Sequence, residues 1–340
     1  MKMKVFDNEK LMKIERVKEV VHRMKSLGDP TLNTVKIHDG EYCYIIHKSV
    51  REHILYIPDE IKCIHNGYTF NGLISELIKS IRGLDGKLSI YSKALLNSTG
   101  GMLSGSGVLP GIVELDISHF YTGEVEDMSA MFMDSLVRDI DLSSIDTHNV
   151  RNMSSMFIRC EADNINLDAL DTSKVNDMSS MFSCCKAYEL DVSHFNTSNV
   201  VNMSNMFKNC RVKSIEVSNF DTSKVTDMHN MFFGCKIEKL DIHNFDTYRV
   251  ENMNGMFNEC NLDILDLSNF DTSNVRDMSA MFRRLKVDKL DIRNFDTSNV
   301  DRMEEMFQDC SIRDLYLPSS YGSRKRLTRY SGDGMVRNIH

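Results

Sequence analysis

From residue 112 to 317, apolar and polar positions recur with a period of 25 and without insertion or deletion. The clearest column is a Met-Phe pair: Met131, Met156, Met181, Met206, Met231, Met256, Met281 and Met306 are each followed by Phe. A second Met precedes each pair by three positions, and a Val column from Val125 to Val300 lies three positions earlier again. Five positions before each Val stands Phe120, Ile145, Leu170, Phe195, Phe220, Phe245, Phe270 or Phe295. An apolar, acidic, apolar triplet precedes that residue, as in Leu240-Asp241-Ile242. Periods of this length mark stacked repeats, in which one unit cannot bury its apolar face until neighbours cover it.

Each copy predicts three local elements. The alternating triplet suits a half-exposed strand. The following segment, Phe-Asp-Thr-Ser-Asn in its commonest form, is rich in residues whose side chains bond nearby backbone and so predicts a turn. Met153, Met156, Phe157 and Cys160 then fall at i, i+3, i+4 and i+7, which predicts a short helix with one apolar stripe. Asp127, Asn152, Asp177, Asn202, Asp227, Asn252 and Asp277 stand where that helix needs an N-cap, and only Arg302, in the last copy, departs.

The flanks read differently. Residues 9–27 predict an amphipathic helix with Leu11, Ile14, Val17, Val21 and Met24 near one side and Gly28-Asp29-Pro30 as its stop. Segments 34–38 and 41–47 predict a hairpin about Asp39-Gly40, 53–57 and 87–91 predict strands, and 73–81 predicts a short helix. Leu55-Tyr56-Ile57-Pro58 is close to Leu315-Tyr316-Leu317-Pro318, which suggests degenerate coils within this region. The expected division is an α+β N-terminal capping region over 1–95, a Gly-rich connection over 96–111, the repeat solenoid over 112–318 and a basic tail over 319–340. The expected fold class is an α/β repeat solenoid, a leucine-rich-repeat-like stack of about eight coils, each a short parallel strand plus a short helix.

Composition changes this picture only a little. Of the 23 Met, 16 sit in the two repeat columns, so their abundance is an effect of the repeat. The net charge of −8 argues against nucleic acid binding over the whole surface, the basic tail (Arg324, Lys325, Arg326, Arg329) excepted. No segment approaches the roughly 18 consecutive apolar residues of a membrane helix, so no membrane insertion is expected. The opening residues lack a secretory pattern, which gives a cytoplasmic expectation. Nine Cys are an odd number, mostly in one repeat column, and this is not the spacing of a disulfide-stapled domain.

The run 265–285, Leu-Asp-Leu-Ser-Asn-Phe-Asp-Thr-Ser-Asn-Val-x-Asp-Met-Ser-x-Met-Phe with Leu285 in the usual Cys position, resembles the repeat of BspA-like leucine-rich-repeat proteins, a unit also found in mycoplasma-type surface lipoproteins. The resemblance covers about 115–317. It implies a solenoid with a parallel sheet on one face and a protein-binding or adhesive role at a cell surface, or in a virion. No lipoprotein Cys stands near the start of this sequence.

Candidate chemistry centres on an acidic column, Asp116, Asp141, Asp191, Glu216, Asp241, Asp266 and Asp291, with Asn166 its neutral member. These residues lie between inward-pointing apolar ones and should project from the strand face. Like charges ~5 Å apart repel by about 0.8 kcal/mol in water, so the column is either solvated and locally paired or a docking stripe for a partner protein with a basic surface. A single carboxylate column lacks the 6–8 oxygens that calcium takes. A second column, Asp146, Asp171, Asp221, Asp246, Asp271 and Asp296, is expected to accept backbone N–H bonds in the turn. The Cys column (Cys160, Cys185, Cys210, Cys235, Cys260, Cys310) reads as buried packing, because Leu285 and Ser135 occupy the same position. His38, Cys43, His47, His53, Cys63 and His65 show no recognised zinc spacing. Gly105-Ser106-Gly107 with Gly111 misses the dinucleotide-loop pattern. No cofactor, metal or catalytic group is therefore expected. The expected function is non-enzymatic protein recognition through the strand face. The alternatives are a structural part of a virion or lattice, and a surface adhesin exported by a route not visible in the sequence.

Overall fold

The computed structural model describes residues 8–28, 32–38, 41–49, 52–57, 85–92, 98–104, 111–237, 239–318 and 337–338. They fall in two compact units, one of 1–150 with 160–170 and one of 151–159 with 171–340. The expected helix at 73–81 and the residues of the basic tail at Arg324, Lys325, Arg326 and Arg329 lie outside the described residues.

In the first unit, helix α1 (Asn8–Leu27) lays Val17, Val21 and Met24 against Ile54, Tyr56 and Tyr91. A seven-stranded sheet follows in sequence order: β1 (Leu32–His38), β2 (Glu41–Ser49), β3 (Glu52–Ile57), β4 (Asp85–Ser92), β5 (Gly111–Phe120), β6 (Asp139–Asp141) and β7 (Asn164–Asn166). The pairs β1–β2 and β2–β3 are antiparallel, and every pair from β3 onward is parallel. The same parallel ladder that joins the coil strands β6 and β7 thus runs back through β5 and β4 to β3. Inside the Gly-rich connection, Thr99, Gly101 and Leu103 donate to the carbonyls of Asp127, Ser129 and Met131, at 2.8, 2.7 and 3.1 Å. Thr99, Met102 and Leu103 therefore hold the places of Met, Met and Phe in a degenerate coil, and Met102 and Leu103 are fully buried. The sequence hides this coil because four extra residues separate Met102 from Met131.

The second unit is built of the same coils. Its strands are β8 (Ser214–Ile215) with β9 (Lys239–Leu240), and β10 (Lys286–Asp291) with β11 (Ser311–Tyr316) and β12 (Arg337–Asn338), all parallel. The coils of each unit are turns of a parallel β-solenoid, about eight in all, with little helix. Both apolar members of each triplet are buried, for example Leu240 and Ile242, while the acidic residue between them faces out. The Met-Phe Phe residues make one interior file: Phe157, Phe182, Phe207, Phe232, Phe257, Phe282 and Phe307 stack ring on ring, with centroids 5.5–6.0 Å apart and planes within 18°.

The short helix expected in each coil is not formed. Residues 153–159 make a run of tight turns: Met156 and Ile158 donate to the carbonyls three residues back, of Met153 and Ser155. Met153, Ser155, Phe157 and Arg159 donate instead to the next coil, at Asp177, Ser179, Met181 and Ser183, over 2.7–3.0 Å. Ser155 and Arg159 take left-handed φ values of 59° and 53°, which turns their N–H groups along the stacking direction. The physical reason is width. An α-helix needs ~10 Å with its side chains, whereas coils joined by β-type hydrogen bonds recur every ~4.8 Å. The residues expected as N-caps keep their bond in another setting: Asp127, Asn152, Asp177, Asn202, Asp227, Asn252 and Asp277 each accept from the backbone N–H two residues on, at 2.8–3.0 Å. Arg302, the exception, reaches back to Asp277, with Nε 3.1 Å from its carboxylate.

A test separates the two conformations. Ala280 sits at φ 54°, where an L-residue with a Cβ is strained by about 1–2 kcal/mol. Ala280→Gly is expected to raise the unfolding free energy by about 1 kcal/mol in urea denaturation. In a helix interior the same change would lower it by about 1 kcal/mol.

Candidate functional site

The strand face owes its shape to three corners in each coil, all built the same way. At the first corner a residue of the acidic column accepts from the backbone N–H two positions on. Ser118 donates to Asp116, Ser143 to Asp141, Ser193 to Asp191 and Ser268 to Asp266, at 2.9–3.0 Å. Glu216 and Asn166 do likewise, with Ser218 and Asp168. The second column behaves as expected at the second corner, with Ser173 donating to Asp171, Ser223 to Asp221, Ser273 to Asp271 and Ser298 to Asp296. The third corner is the Asp127 series. The acidic column is thus first a set of turn acceptors, which the alternation of the triplet did not reveal.

Beneath the second corner runs a buried Thr ladder. Thr222, Thr247 and Thr272 donate their hydroxyls to the carbonyls of Asp246, Asp271 and Asp296 in the following coil, at 2.8–2.9 Å. Thr247 and Thr272 also accept from the backbone N–H of Asp271 and Asp296. Here a Thr hydroxyl links the backbones of neighbouring coils. Nothing in the spacing of this repeat distinguished the Thr from its Ser and Asn neighbours.

Beyond the turn bond, each face carboxylate carries a negative charge that neighbouring side chains moderate to different degrees. In the first unit the charge is moderated by amides: Asn164 donates to Asp139 and Asn166 to Asp141, at 2.7 and 3.1 Å. In the second unit His243 Nδ1 lies 2.5 Å from Asp241, and Arg293 grips both oxygens of Asp291 at 3.0 and 2.7 Å. Hydrogen bonds from the Ser193 side chain and backbone hold Asp191 below its usual range, the Ser268 N–H does so for Asp266, and the Arg293 guanidinium for Asp291. Depressed values mean that the carboxylates favour the fold above their unfolded pKa and lose that contribution as pH falls through the folded one. Asp191, Asp266 and Asp291 are therefore ionised at neutral pH.

In the second unit an open groove indents the face between residues 263–268 and 288–294. Ile264 stands in it with 74% of its surface exposed. Beyond it, Lys289 and Arg293 lie over the Tyr316 ring, 5.3 and 5.1 Å from its centroid. Neither Ile264 nor Tyr316 was picked out from the sequence; each replaces a polar or charged residue at its repeat position, and that break in the column was the available signal.

The remaining candidates are accounted for by packing or lie outside the description. Among the described residues no group of three or more His, Cys, Asp or Glu could hold a metal ion. Cys160, Cys185, Cys210, Cys235 and Cys260 are buried thiols, and Cys235 and Cys260 donate to the carbonyls of Phe207 and Phe232. Burial pushes Cys210 and Cys260 up to about 12. Iodoacetamide on the native chain is expected to modify half-buried Cys184 and to reach these five only after unfolding, as read by peptide mass mapping. His53 is buried on β3, opposite His47 of β2. Cys63, His65 and the Gly105–Gly107 loop lie outside the described residues. No described helix is long and apolar enough to cross a membrane.

No curated protein and no solved structure matches the chain. Two overlapping stretches, 110–216 and 203–316, match the family model described as Mycoplasma protein of unknown function, DUF285. These stretches together cover the repeat array and more than half of the sequence, so the chain belongs to the DUF285 family.

Proposed function

We propose that this protein is a non-enzymatic recognition scaffold that binds a protein partner with a basic surface through its strand face. One observation carries the reading: carboxylates recur on that face coil after coil, each held in a fixed place by a turn hydrogen bond from the backbone two residues on. Such fixed, ordered charges steer and orient a partner at little entropic cost. The likeness of the repeat to BspA-like leucine-rich-repeat proteins supports an adhesive role of this kind at a cell surface.

The structure also dictates the cleanest test. Reversal to Lys would remove the turn acceptor together with the charge, so that misfolding and lost binding would be confounded. Asn keeps the acceptor oxygen, as Asn166 and Asn196 do in the native chain. The triple variant Asp241→Asn, Asp266→Asn, Asp291→Asn is expected to keep the wild-type circular dichroism spectrum. It should lose proteins that the wild-type chain captures from its native source in a salt-sensitive manner. Retention of the same proteins by both chains removes the strand face from the reading.

A further inference from the structure

We infer that the groove around Ile264 is the part of the strand face that reads sequence in the partner, and that it takes an extended segment in which a basic residue adjoins an aliphatic one. This rests on the recognition reading above and narrows it to one stretch of the second unit. The groove measures about 940 Å3, at the upper end of the size of small-molecule sites and far more than an ion needs. Its lining sets four carboxylates, Asp263, Asp266, Asp288 and Asp291, against two cations, Lys289 and Arg293. Both cations are engaged: Arg293 is held by Asp291, and Lys289 and Arg293 both lie over Tyr316. Asp288 pairs with Arg313 at 3.1 Å. Asp263 forms no hydrogen bond or ion pair among the described residues, and Asp266 accepts from the Ser268 N–H at 2.9 Å, with the Ser268 side chain and the Lys289 charge also acting on it but no arginine gripping it.

Two carboxylates without an arginine partner among the described residues therefore flank Ile264 in the sequence Asp263-Ile264-Leu265-Asp266, with the Ile side chain out and Leu265 buried. Elsewhere in this outward column stand Asp139, Asn164, Glu189, Ser214 and Lys289. An aliphatic side chain held 74% exposed in that row gains only when another apolar group covers it. Charge complementarity sets what must accompany that group, because a cation beside it meets Asp263 or Asp266 and an anion meets the net negative lining. Elsewhere along the acidic column the exposed apolar side chain is the aromatic Tyr188 near Asp191 and not an aliphatic one, so the column there supplies attraction without the aliphatic selection.

The experiment uses the full chain and three fluorescein-labelled hexapeptides followed by fluorescence polarisation: lysine alternating with leucine, lysine alternating with serine, and glutamate alternating with leucine. The lysine–leucine peptide is expected to bind most tightly. Ile264→Ser and the pair Asp263→Asn, Asp266→Asn should each weaken it about tenfold, whereas Asp191→Asn, which removes one attracting charge outside the groove, should weaken it by no more than about twofold. Equal binding of the lysine–serine peptide, tightest binding of the glutamate–leucine peptide, or no binding at all would overturn the groove as a reader. Binding weakened by Asp191→Asn as much as by the groove variants overturns the groove alone and leaves the acidic face as the recognition surface. Binding that no face variant alters sinks both. The variants' circular dichroism spectra report whether the fold is kept, and Ile264→Val, which retains an exposed aliphatic surface, should bind like the wild type.

Discussion

Phe207→Ala is expected to lower the unfolding free energy by about 3–5 kcal/mol, the usual cost of emptying a buried aromatic site. Phe207 has no exposed surface and lies between Phe182 and Phe232, each 5.9 Å away and tilted by less than 10°. Removing the ring deletes two stacking contacts, worth about 0.5–1.5 kcal/mol each, and opens a cavity between coils that their backbone hydrogen bonds prevent from collapsing. Because each coil touches only its neighbours, the weakness stays local. Urea denaturation should show the loss, and hydrogen exchange should quicken first near residues 200–235. A loss below about 1 kcal/mol would mean that the ring file does not hold the coils together.

Thr247→Val is expected to cost about 2–4 kcal/mol, although it exchanges two side chains of nearly the same shape. The Thr247 hydroxyl donates to the Asp271 carbonyl at 2.8 Å and accepts from the Asp271 N–H at 2.9 Å, with 1% of the residue exposed. Val leaves both backbone groups facing an apolar wall, and each orphan costs about 1–3 kcal/mol. Thr247→Ser keeps both bonds and loses one methyl, about 1 kcal/mol. Thermal denaturation of the two variants decides the matter: if Val and Ser are equally destabilising, the hydroxyl is not bridging the coils.

Both effects were unevenly legible in the sequence. The Met-Phe column announced itself through its period, and its burial follows from apolarity alone. The Thr column recurs as faithfully but sits in a polar segment, where a buried hydroxyl looks like any turn residue. The candidate site divides in the same way. Asp116 through Asp291 could be placed on the outward face by alternation, yet their bonds to residues two positions on depend on a corner that alternation does not describe. Ile264 was legible only as an irregularity among Asp, Asn, Ser and Lys. The degenerate coil at Thr99, Met102 and Leu103 was concealed by a changed spacing and is recognised by its hydrogen bonds to 127–131.

By itself the sequence determined the existence and register of the 25-residue coils and which of their side chains face inward, because burial follows from periodic apolarity. It also placed the N-terminal helix and hairpin. Tertiary structure alone decided the path between Asn152 and Cys160. The spacing i, i+3, i+4, i+7 is satisfied equally by a helix and by successive tight turns, since both bring those side chains to one side. The choice falls to the neighbouring coil, which stands close enough to accept the N–H groups of Met153, Ser155, Phe157 and Arg159 and too close to leave room for a helix.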